Sequence, residues 1–181
     1  TPPPERLPIK TQVLPYSAKI IREAIERELK RGGQIYFLHN RIETLGQTEE
    51  KLKELLLPPF SYGRKKMAVT AKSRPTIGVI HGRMKEKELI RVMDKFRQKE
   101  IDILLATTII ENGLDISSVN TIIADDAARL GLAQAHQLRG RVGRGGEQAY
   151  AYFLYRPRRL TQKAAERLAA LKEYSELGAG Y

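Results

Sequence analysis

The sequence predicts an α/β fold in three layers, with a mostly parallel central sheet of about six strands and helices on both faces. Two observations predict it. Short apolar runs alternate with longer segments of helical periodicity, and no repeat of 20 to 50 residues interrupts that alternation. Strands that are separated by helices pair in parallel through right-handed crossovers. The 181 residues suffice for about one such domain.

The first half of the chain is predicted to form two strands and two helices. In order, they are a strand at 8–14, a helix at 17–31, a strand at 35–38 and a helix at 41–57. Alternating apolar and polar residues identify the first strand, which Pro15 ends. Ser17 provides an N-cap for the first helix, and Gly32 follows its end. The pair Pro58-Pro59 stops the second helix.

The second half repeats the alternation of strands and helices. The predicted elements are strands at 77–80, 103–106, 121–124 and 149–155, and helices at 85–99, 132–138 and 161–177. The helix at 85–99 is the clearest, because Leu89, Val92, Met93 and Phe96 follow the spacing i, i+3, i+4 and i+7 of one helical face.

Composition limits the possible functions. Lysine and arginine number 32 against 21 acidic residues, a net charge of +11, which indicates a polyanionic partner. Cysteine is absent, so disulfides, thiolate zinc sites and cysteine nucleophiles are excluded. The longest apolar run, 149–155, is far shorter than the ~18 residues of a membrane span. We also expect no secretory signal, because the first residues contain no apolar core behind a basic start. Because the chain starts at Thr1, we expect it to be part of a longer protein.

Polar or small residues follow four of the predicted strands. They are His39-Asn40, His81-Gly82, Thr107-Thr108 and Asp125-Asp126. Ligands of open parallel sheets gather at the carboxyl ends of the strands, so the agreement of four strand ends predicts a binding site there. Taken singly, each pair also suits a hydrogen-bonded loop or a helix cap. No spacing of histidine and acidic residues resembles a metal site.

The segment 137–144, Gln-Leu-Arg-Gly-Arg-Val-Gly-Arg, concentrates three arginines between glycines. Guanidinium groups are rigid planar donors that suit phosphate. Near a transferring γ-phosphoryl group they stabilise the developing charge, which is the arginine-finger role. The alternative is a basic loop that contacts only nucleic-acid phosphates or solvent.

The segment 107–116 directly follows the predicted strand at 103–106. Its hydroxyl and backbone N–H groups can hold a phosphate backbone. Asp115, which follows the turn at Gly113, can accept a ribose hydroxyl. A capped turn after a strand explains the same residues without a ligand.

The sequence contains no G-x-x-x-x-G-K-[ST] phosphate loop and no acidic magnesium-binding quartet after a strand. The chain therefore cannot hold a nucleoside triphosphate and its metal unaided. We expect the ATP site to be a cleft between two lobes, of which this chain forms the second.

Four segments resemble a known family. Segments 107–116 and 137–144 resemble motifs V and VI of superfamily 2 helicases and translocases, and segments 34–40 and 81–84 resemble the motif IV region. More closely, the chain resembles the C-terminal RecA-like motor lobe of the bacterial transcription-repair coupling factors, almost from end to end. RecG-type branch-migration helicases are the nearest alternative, and the ending Leu-Gly-Ala-Gly-Tyr favours the coupling factors.

The resemblance implies two parts and one activity. Residues 1–160 would be the second RecA-like motor lobe, and residues 161–181 the truncated start of a C-terminal helical hairpin. The full-length protein would be an ATP-hydrolysing translocase on double-stranded DNA that displaces stalled RNA polymerase and couples transcription to nucleotide excision repair. The isolated chain would hydrolyse no ATP.

The resemblance also implies partners. The first RecA-like lobe of the same polypeptide would hold ATP with Mg²⁺, so this chain itself would bind no metal. RNA polymerase and excision-repair proteins would be reached through other domains. No membrane is implied, and the expected location is the bacterial cytoplasm, in association with the nucleoid.

Site residues follow from the motif match. Arg141 and Arg144 would contact the ATP γ-phosphate, with Arg144 as the finger. The nucleotide would also be bound through Gly113, Asp115 and Gln137. The residues that would face the DNA backbone are Asn40, His81, Gly82, Thr107 and Thr108.

A basic insertion near 58–75 departs from the family pattern. It carries five basic residues and no acidic one, which accounts for +5 of the net +11. An added contact to DNA or polymerase and a solvated insertion both fit this composition. Two further interpretations of the whole chain stay open: a DNA-binding module without a catalytic contribution, and a domain that docks another protein through the insertion.

Overall fold

The fold is that of a computed structural model, in which residues 9–57, 74–107, 119–140 and 146–178 are described. The strands are β1 (Lys10–Pro15), β2 (Ile35–Leu38), β3 (Ile77–Ile80), β4 (Ile103–Ala106), β5 (Thr121–Ala124) and β6 (Tyr150–Tyr155). The helices are α1 (Ala18–Lys30), α2 (Leu45–Leu55), α3 (Glu86–Arg97), α4 (Leu132–Gly140) and α5 (Gln162–Gly178). Each corresponds to a predicted element, with ends that differ by a few residues.

The six strands form one sheet in the order β1-β6-β5-β2-β4-β3, and every neighbouring pair is parallel. From β1 the chain moves through α1 and α2 toward β3 at the opposite edge of the sheet. It then returns through β4, β5 and β6, with α3 and α4 among the connections. Because crossovers between parallel strands are right-handed, the two pairs of helices cover opposite faces. The predicted three-layer α/β fold is confirmed.

The hydrophobic core is divided between the two faces of the sheet. Strands β2, β4 and β5 lie in the interior and are buried along their whole length. Alternate residues of β2 point to opposite faces: Ile35 and Phe37 pack with α1 and α2, whereas Tyr36 and Leu38 pack with α3 and α4. This is why these strands read as continuous apolar runs rather than as alternating ones.

Local signals set the limits of α1. The Ser17 hydroxyl accepts a hydrogen bond from the Ile20 N–H at 3.3 Å, which is the predicted N-cap. The helix ends at Lys30, and Gly32 follows with a φ of +81°, a left-handed conformation that glycine adopts without strain.

One helix begins later than predicted. The segment expected to be helical from residue 41 first forms a 3-10 turn at Ile42–Thr44, and α2 starts at Leu45. Thr44 has φ −110° and ψ 5°, outside the helical region, and its side chain bonds to His39. A tertiary contact therefore delays this helix.

The last helix is part of the same core. Ala164, Leu168 and Leu171 of α5 are buried, and the two leucines belong to the core cluster that also contains residues of α3 and α4. The Arg167 side chain donates to the Ala128 carbonyl at 2.7 Å, which ties α5 to the segment after β5.

Candidate functional site

The structure places four of the predicted strand-end residues at one end of the sheet, here called the carboxyl end. His39, His81, Thr107 and Asp125 directly follow β2, β3, β4 and β5, which are parallel neighbours. Backbone hydrogen bonds continue past the strands, from the His39 N–H to the Ala106 carbonyl at 2.8 Å and from the Asp125 N–H to the Leu38 carbonyl at 3.2 Å.

A crevice opens where β2 and β5 end side by side. From β2 the chain turns to α2 on one face, and from β5 it turns to α4 on the other. In open parallel sheets such a divergence of neighbouring connections is the usual place for a ligand site. The crevice lies at the centre of the carboxyl end.

His39 and Asp125 join the two walls of this crevice. The His39 Nδ1 lies 2.7 Å from the Asp125 Oδ2, and the Nε2 lies 2.6 Å from the Thr44 Oγ1. Asp125 is only 4% exposed, and its Oδ1 has no hydrogen-bond partner among the described residues. The sequence singled out His39 and Asp125 but not Thr44.

Asn40 and Arg129 make a second connection across the crevice. The Asn40 amide donates to the Arg129 carbonyl at 3.3 Å, and the Arg129 guanidinium is 2.9 Å from Asp126. Asn40, predicted to contact DNA, is half-buried beside the segment that leads to α4.

The His81-Gly82 turn lies after β3. The His81 N–H donates to the Met84 sulfur at 3.3 Å, and the Arg83 N–H donates to the His81 Nδ1 at 3.2 Å. His81 is half-buried and Gly82 is exposed. A compact turn with an exposed glycine lets a ligand backbone approach closely.

Among the predicted DNA-facing residues that the structure describes, Thr107 is the most buried, at 2% exposure. Its hydroxyl has no hydrogen-bond partner in the described part of the chain. A buried hydroxyl without a partner is destabilising by about 1 to 3 kcal/mol. Such a group suits a site where a partner arrives with a ligand.

A hollow of about 600 Å³ opens at the crevice, and His39, Thr44 and Asp125 are among its lining residues. Ile21, Phe37 and Leu52 are its buried apolar lining residues, and its cationic ones are Arg41, Lys51, Arg156 and Arg159. The Arg156 guanidinium lies 4.1 Å from the centre of the Tyr16 ring. Sequence reasoning did not select these cations, although the run 156–159 follows a strand end in the same way as the four pairs that it did select.

Several predicted site residues lie outside the described residues. They are Thr108, Gly113, Asp115, Arg141 and Arg144, together with most of the basic insertion, 58–73. Gln137 is described and is exposed on α4. That helix runs through residue 140, directly before Arg141.

The described residues contain no group of three or more histidine or acidic side chains that could hold a metal ion. Within the same part of the chain, no helix combines the length and the apolar character that crossing a membrane requires.

Comparisons with known proteins agree on one family. Residues 17–146 match the model of the helicase conserved C-terminal domain. Over its whole length the chain is 47% identical to the transcription-repair-coupling factors of Bacillus subtilis and of Myxococcus xanthus, and it spans 14% of the length of each. Among solved structures it is similar to RecG bound to a three-way DNA junction, with a TM-score of 0.70, 30% identity, and coverage of 97% of this chain and 22% of RecG.

Proposed function

The chain belongs to the helicase conserved C-terminal domain family, and from this premise we propose that it is the second motor lobe of an ATP-dependent translocase on double-stranded DNA. One observation carries the proposal: 47% identity to transcription-repair-coupling factors extends over the whole chain. RNA polymerase displacement and the recruitment of nucleotide excision repair are then tasks of the full-length protein on the bacterial nucleoid.

The DNA backbone contacts are proposed for the carboxyl end of the sheet. The His81-Gly82 turn, Asn40 and Thr107 lie there on neighbouring segments, and Thr108 follows directly in the sequence. Hydroxyls, amides and backbone N–H groups bind phosphate oxygens without reading sequence. This fits a motor that must move along any DNA.

The nucleotide contacts are proposed for the residues around α4. Arg141 and Arg144 would stabilise the γ-phosphoryl charge, Gln137 would line the cleft, and Gly113 and Asp115 would lie at the ribose. Mg²⁺ and the triphosphate would be held by a phosphate loop on the first lobe, because this sequence has none.

The decisive experiment removes the proposed finger. In a longer chain that includes the preceding lobe, Arg144→Ala is expected to lower ATP turnover by about 10³-fold or more, while duplex DNA affinity is retained. Arg97→Ala is the matched control, because Arg97 is an exposed α3 arginine that pairs with Asp94 of the same helix at 3.3 Å. Undiminished turnover in Arg144→Ala would exclude this residue as the finger.

The phosphate contacts are tested by salt. For the 181-residue chain we expect the logarithm of duplex DNA affinity to fall linearly with the logarithm of salt concentration, with a slope that reflects the number of phosphates contacted. An affinity that salt does not change would contradict backbone contacts as the main source of binding.

A RecG-type branch-migration helicase is the second candidate, favoured by the RecG likeness. The two candidates differ in substrate. A coupling-type motor is expected to displace a stalled RNA polymerase from linear duplex DNA, whereas a RecG-type motor is expected to unwind a branched junction. Comparing both substrates with the longer chain separates them.

A further inference from the structure

The crevice between β2 and β5 has two walls that belong to different layers of the fold. The wall after β2 continues into α2, and the wall after β5 continues into α4. The two helices pack on opposite faces of the sheet. Side-chain bonds across the crevice therefore fix one helical layer relative to the other.

His39 makes the most direct of these bonds. When the neutral ring carries its proton on Nδ1, it donates to the Asp125 Oδ2 at 2.7 Å and accepts from the Thr44 hydroxyl at 2.6 Å. The side chains of His39 and Asp125 are 12% and 6% exposed, so both bonds are shielded from water. One ring thus links β2, the start of α2 and the exit of β5.

The segment 125–131 is held at further points. Asn40 donates to the Arg129 carbonyl, and Arg167 of α5 donates to the Ala128 carbonyl. The Gly131 N–H donates to the Gln134 side chain at 3.2 Å, which starts α4. Hydrogen bonds along this segment therefore connect the crevice to α4, the helix that precedes Arg141 in the sequence.

We propose that His39 and Asp125 are a positioning pair, which holds α4 in register with Asn40, the proposed DNA contact; the arginine string directly follows α4 in the sequence. The inference rests on the proposed function and deepens it, because it names how a DNA contact reaches the finger arginines. Neither side chain needs to touch DNA or nucleotide.

The physical reason is geometric. A finger arginine acts only when its guanidinium meets the γ-phosphoryl group at hydrogen-bond distance, and a displacement of 1 Å can lower a rate by about 10²-fold. Without the pair, β5 and β2 keep their backbone hydrogen bonds, but the segment after β5 loses a buried side-chain support on the α2 side. The helix then occupies a wider range of positions.

The test uses the longer chain with both lobes and measures ATP hydrolysis against duplex DNA concentration. His39→Ala and Asp125→Asn are each expected to lower the maximal DNA-stimulated rate by about tenfold. The basal rate is expected to fall as well, because the same arginines act without DNA, whereas the DNA concentration for half-maximal stimulation is expected to stay within about twofold. His39→Asn, which can still donate to Asp125, is expected to recover part of the loss.

The double variant His39→Ala/Asp125→Asn is the sharper measurement. If the two residues act as one unit, the double variant is no slower than either single variant. The matched control is Thr48→Val, which removes a neighbouring α2 hydroxyl that donates to the Thr44 carbonyl at 3.1 Å. This control is expected to keep full stimulation. Thermal unfolding of each variant identifies any that fail to fold.

The outcomes separate the two proposals. No DNA-stimulated hydrolysis by the unsubstituted two-lobe chain would contradict the proposed function itself. Normal stimulation of that chain, with unchanged stimulation of His39→Ala, would overturn the positioning pair and leave the function intact. Single effects that multiply to about a hundredfold in the double variant would also overturn it, because the residues would then act independently.

Discussion

The two ends of the sheet differ in how their buried polar side chains are hydrogen-bonded. At the amino end, the Glu28 carboxylate, 1% exposed, accepts hydrogen bonds from the Arg31 guanidinium and, at 2.9 Å, from the Thr121 hydroxyl. The Gln34 amide donates to the carbonyls of Phe96 and Ile101 at 2.7 and 2.8 Å. These contacts join α1, α3 and the sheet.

At the carboxyl end, two buried oxygens lack hydrogen-bond partners among the described residues: the Thr107 hydroxyl and the Asp125 Oδ1. The hollow of about 600 Å³ and the crevice open there as well. Toward the amino end, the Asn120 Oδ1 just before β5 and the Thr11 Oγ1 on edge strand β1 also lack partners among the described residues, while the Asn120 amide donates to Glu147 at 3.4 Å.

The two ends thus differ in the internally paired Glu28 and Gln34 of one and the open hollow of the other, and this difference indicates that the amino end serves mainly stability and the carboxyl end mainly function. Buried polar groups that are paired internally stabilise the fold, whereas unpaired ones lower stability and are retained where a ligand or a moving segment needs them. Substitutions at the amino end should therefore change the free energy of unfolding most, and substitutions at the carboxyl end should change activity most.

The largest effect is expected for Glu28→Ala. Removing this buried carboxylate leaves the Thr121 hydroxyl without its partner and Arg31 with the more distant Glu147 carboxylate, 4.0 Å away. We expect the free energy of unfolding to fall by about 3 kcal/mol. Denaturant unfolding of the 181-residue chain measures it. Glu23→Ala is the matched control, because the exposed pair of Glu23 with Lys19 on the same helix contributes only about 0.5 kcal/mol. Equal losses in both variants would contradict the comparison.

Gln34→Ala should cause the next largest loss of stability. The substitution removes the side-chain donor to the Ile101 carbonyl and one of the donors to the Phe96 carbonyl, which still accepts from the Lys99 N–H at 3.0 Å. We expect a loss of about 2 kcal/mol in the same unfolding experiment. Gln98→Ala, at an exposed position after α3, should cost about 0.5 kcal/mol or less. A Gln34→Ala chain as stable as the original would show that these hydrogen bonds do not brace the amino end.

Thr107→Val, in contrast, should increase the stability of the chain. Valine keeps the shape of threonine without the unpaired hydroxyl, so we expect the free energy of unfolding to rise by about 1 kcal/mol. In the two-lobe chain, the same variant should weaken DNA-stimulated ATP hydrolysis. A loss of stability instead would mean that the hydroxyl is paired in the folded protein, and the contrast between the two ends would fail.

The smallest expected effect is the contribution of Tyr152 to the loss of stability at alkaline pH. Burial raises the pKa of the Tyr152 phenol above its ordinary value, and Arg27, whose guanidinium donates to the phenol oxygen at 3.1 Å, opposes the rise. Above about pH 10 the unfolded chain releases this proton while the folded chain keeps it, so stability falls as the pH increases.

Tyr152→Phe should remove part of that fall, as measured by denaturant unfolding between about pH 8 and pH 11. The variant for comparison is Tyr174→Phe, which removes a hydroxyl from an exposed side chain of α5. If the two variants give the same curve, Tyr152 does not contribute to it.

The elements themselves could be predicted because their signals are local. The spacing of Leu89, Val92, Met93 and Phe96 identified α3, and the Ser17 cap identified the start of α1. The start of α2 could not be predicted in this way. It depends on the bond between Thr44 and His39, and His39 is itself fixed by Asp125, 86 residues further along the chain.

The candidate site was predicted in part for the same reason. Polar residues after apolar strands placed His39, His81, Thr107 and Asp125 at one end of a parallel sheet. The sequence did not indicate that Arg156 and Arg159 would share a hollow with Lys51. Arg156 and Arg159 come near Lys51 only because β6, which they follow, lies next to β5 in the sheet, on the side away from β2.

The sequence by itself determined the α/β class, the alternation of strands and helices and the resemblance to a motor lobe, because periodicity, caps and motifs are properties of short segments. Only the tertiary structure decided the strand order, the division of the core and the contact of β2 with β5. Those depend on packing between distant segments, which no local pattern specifies. The crevice and the His39–Asp125 pair exist only because that packing brings two distant strand ends together.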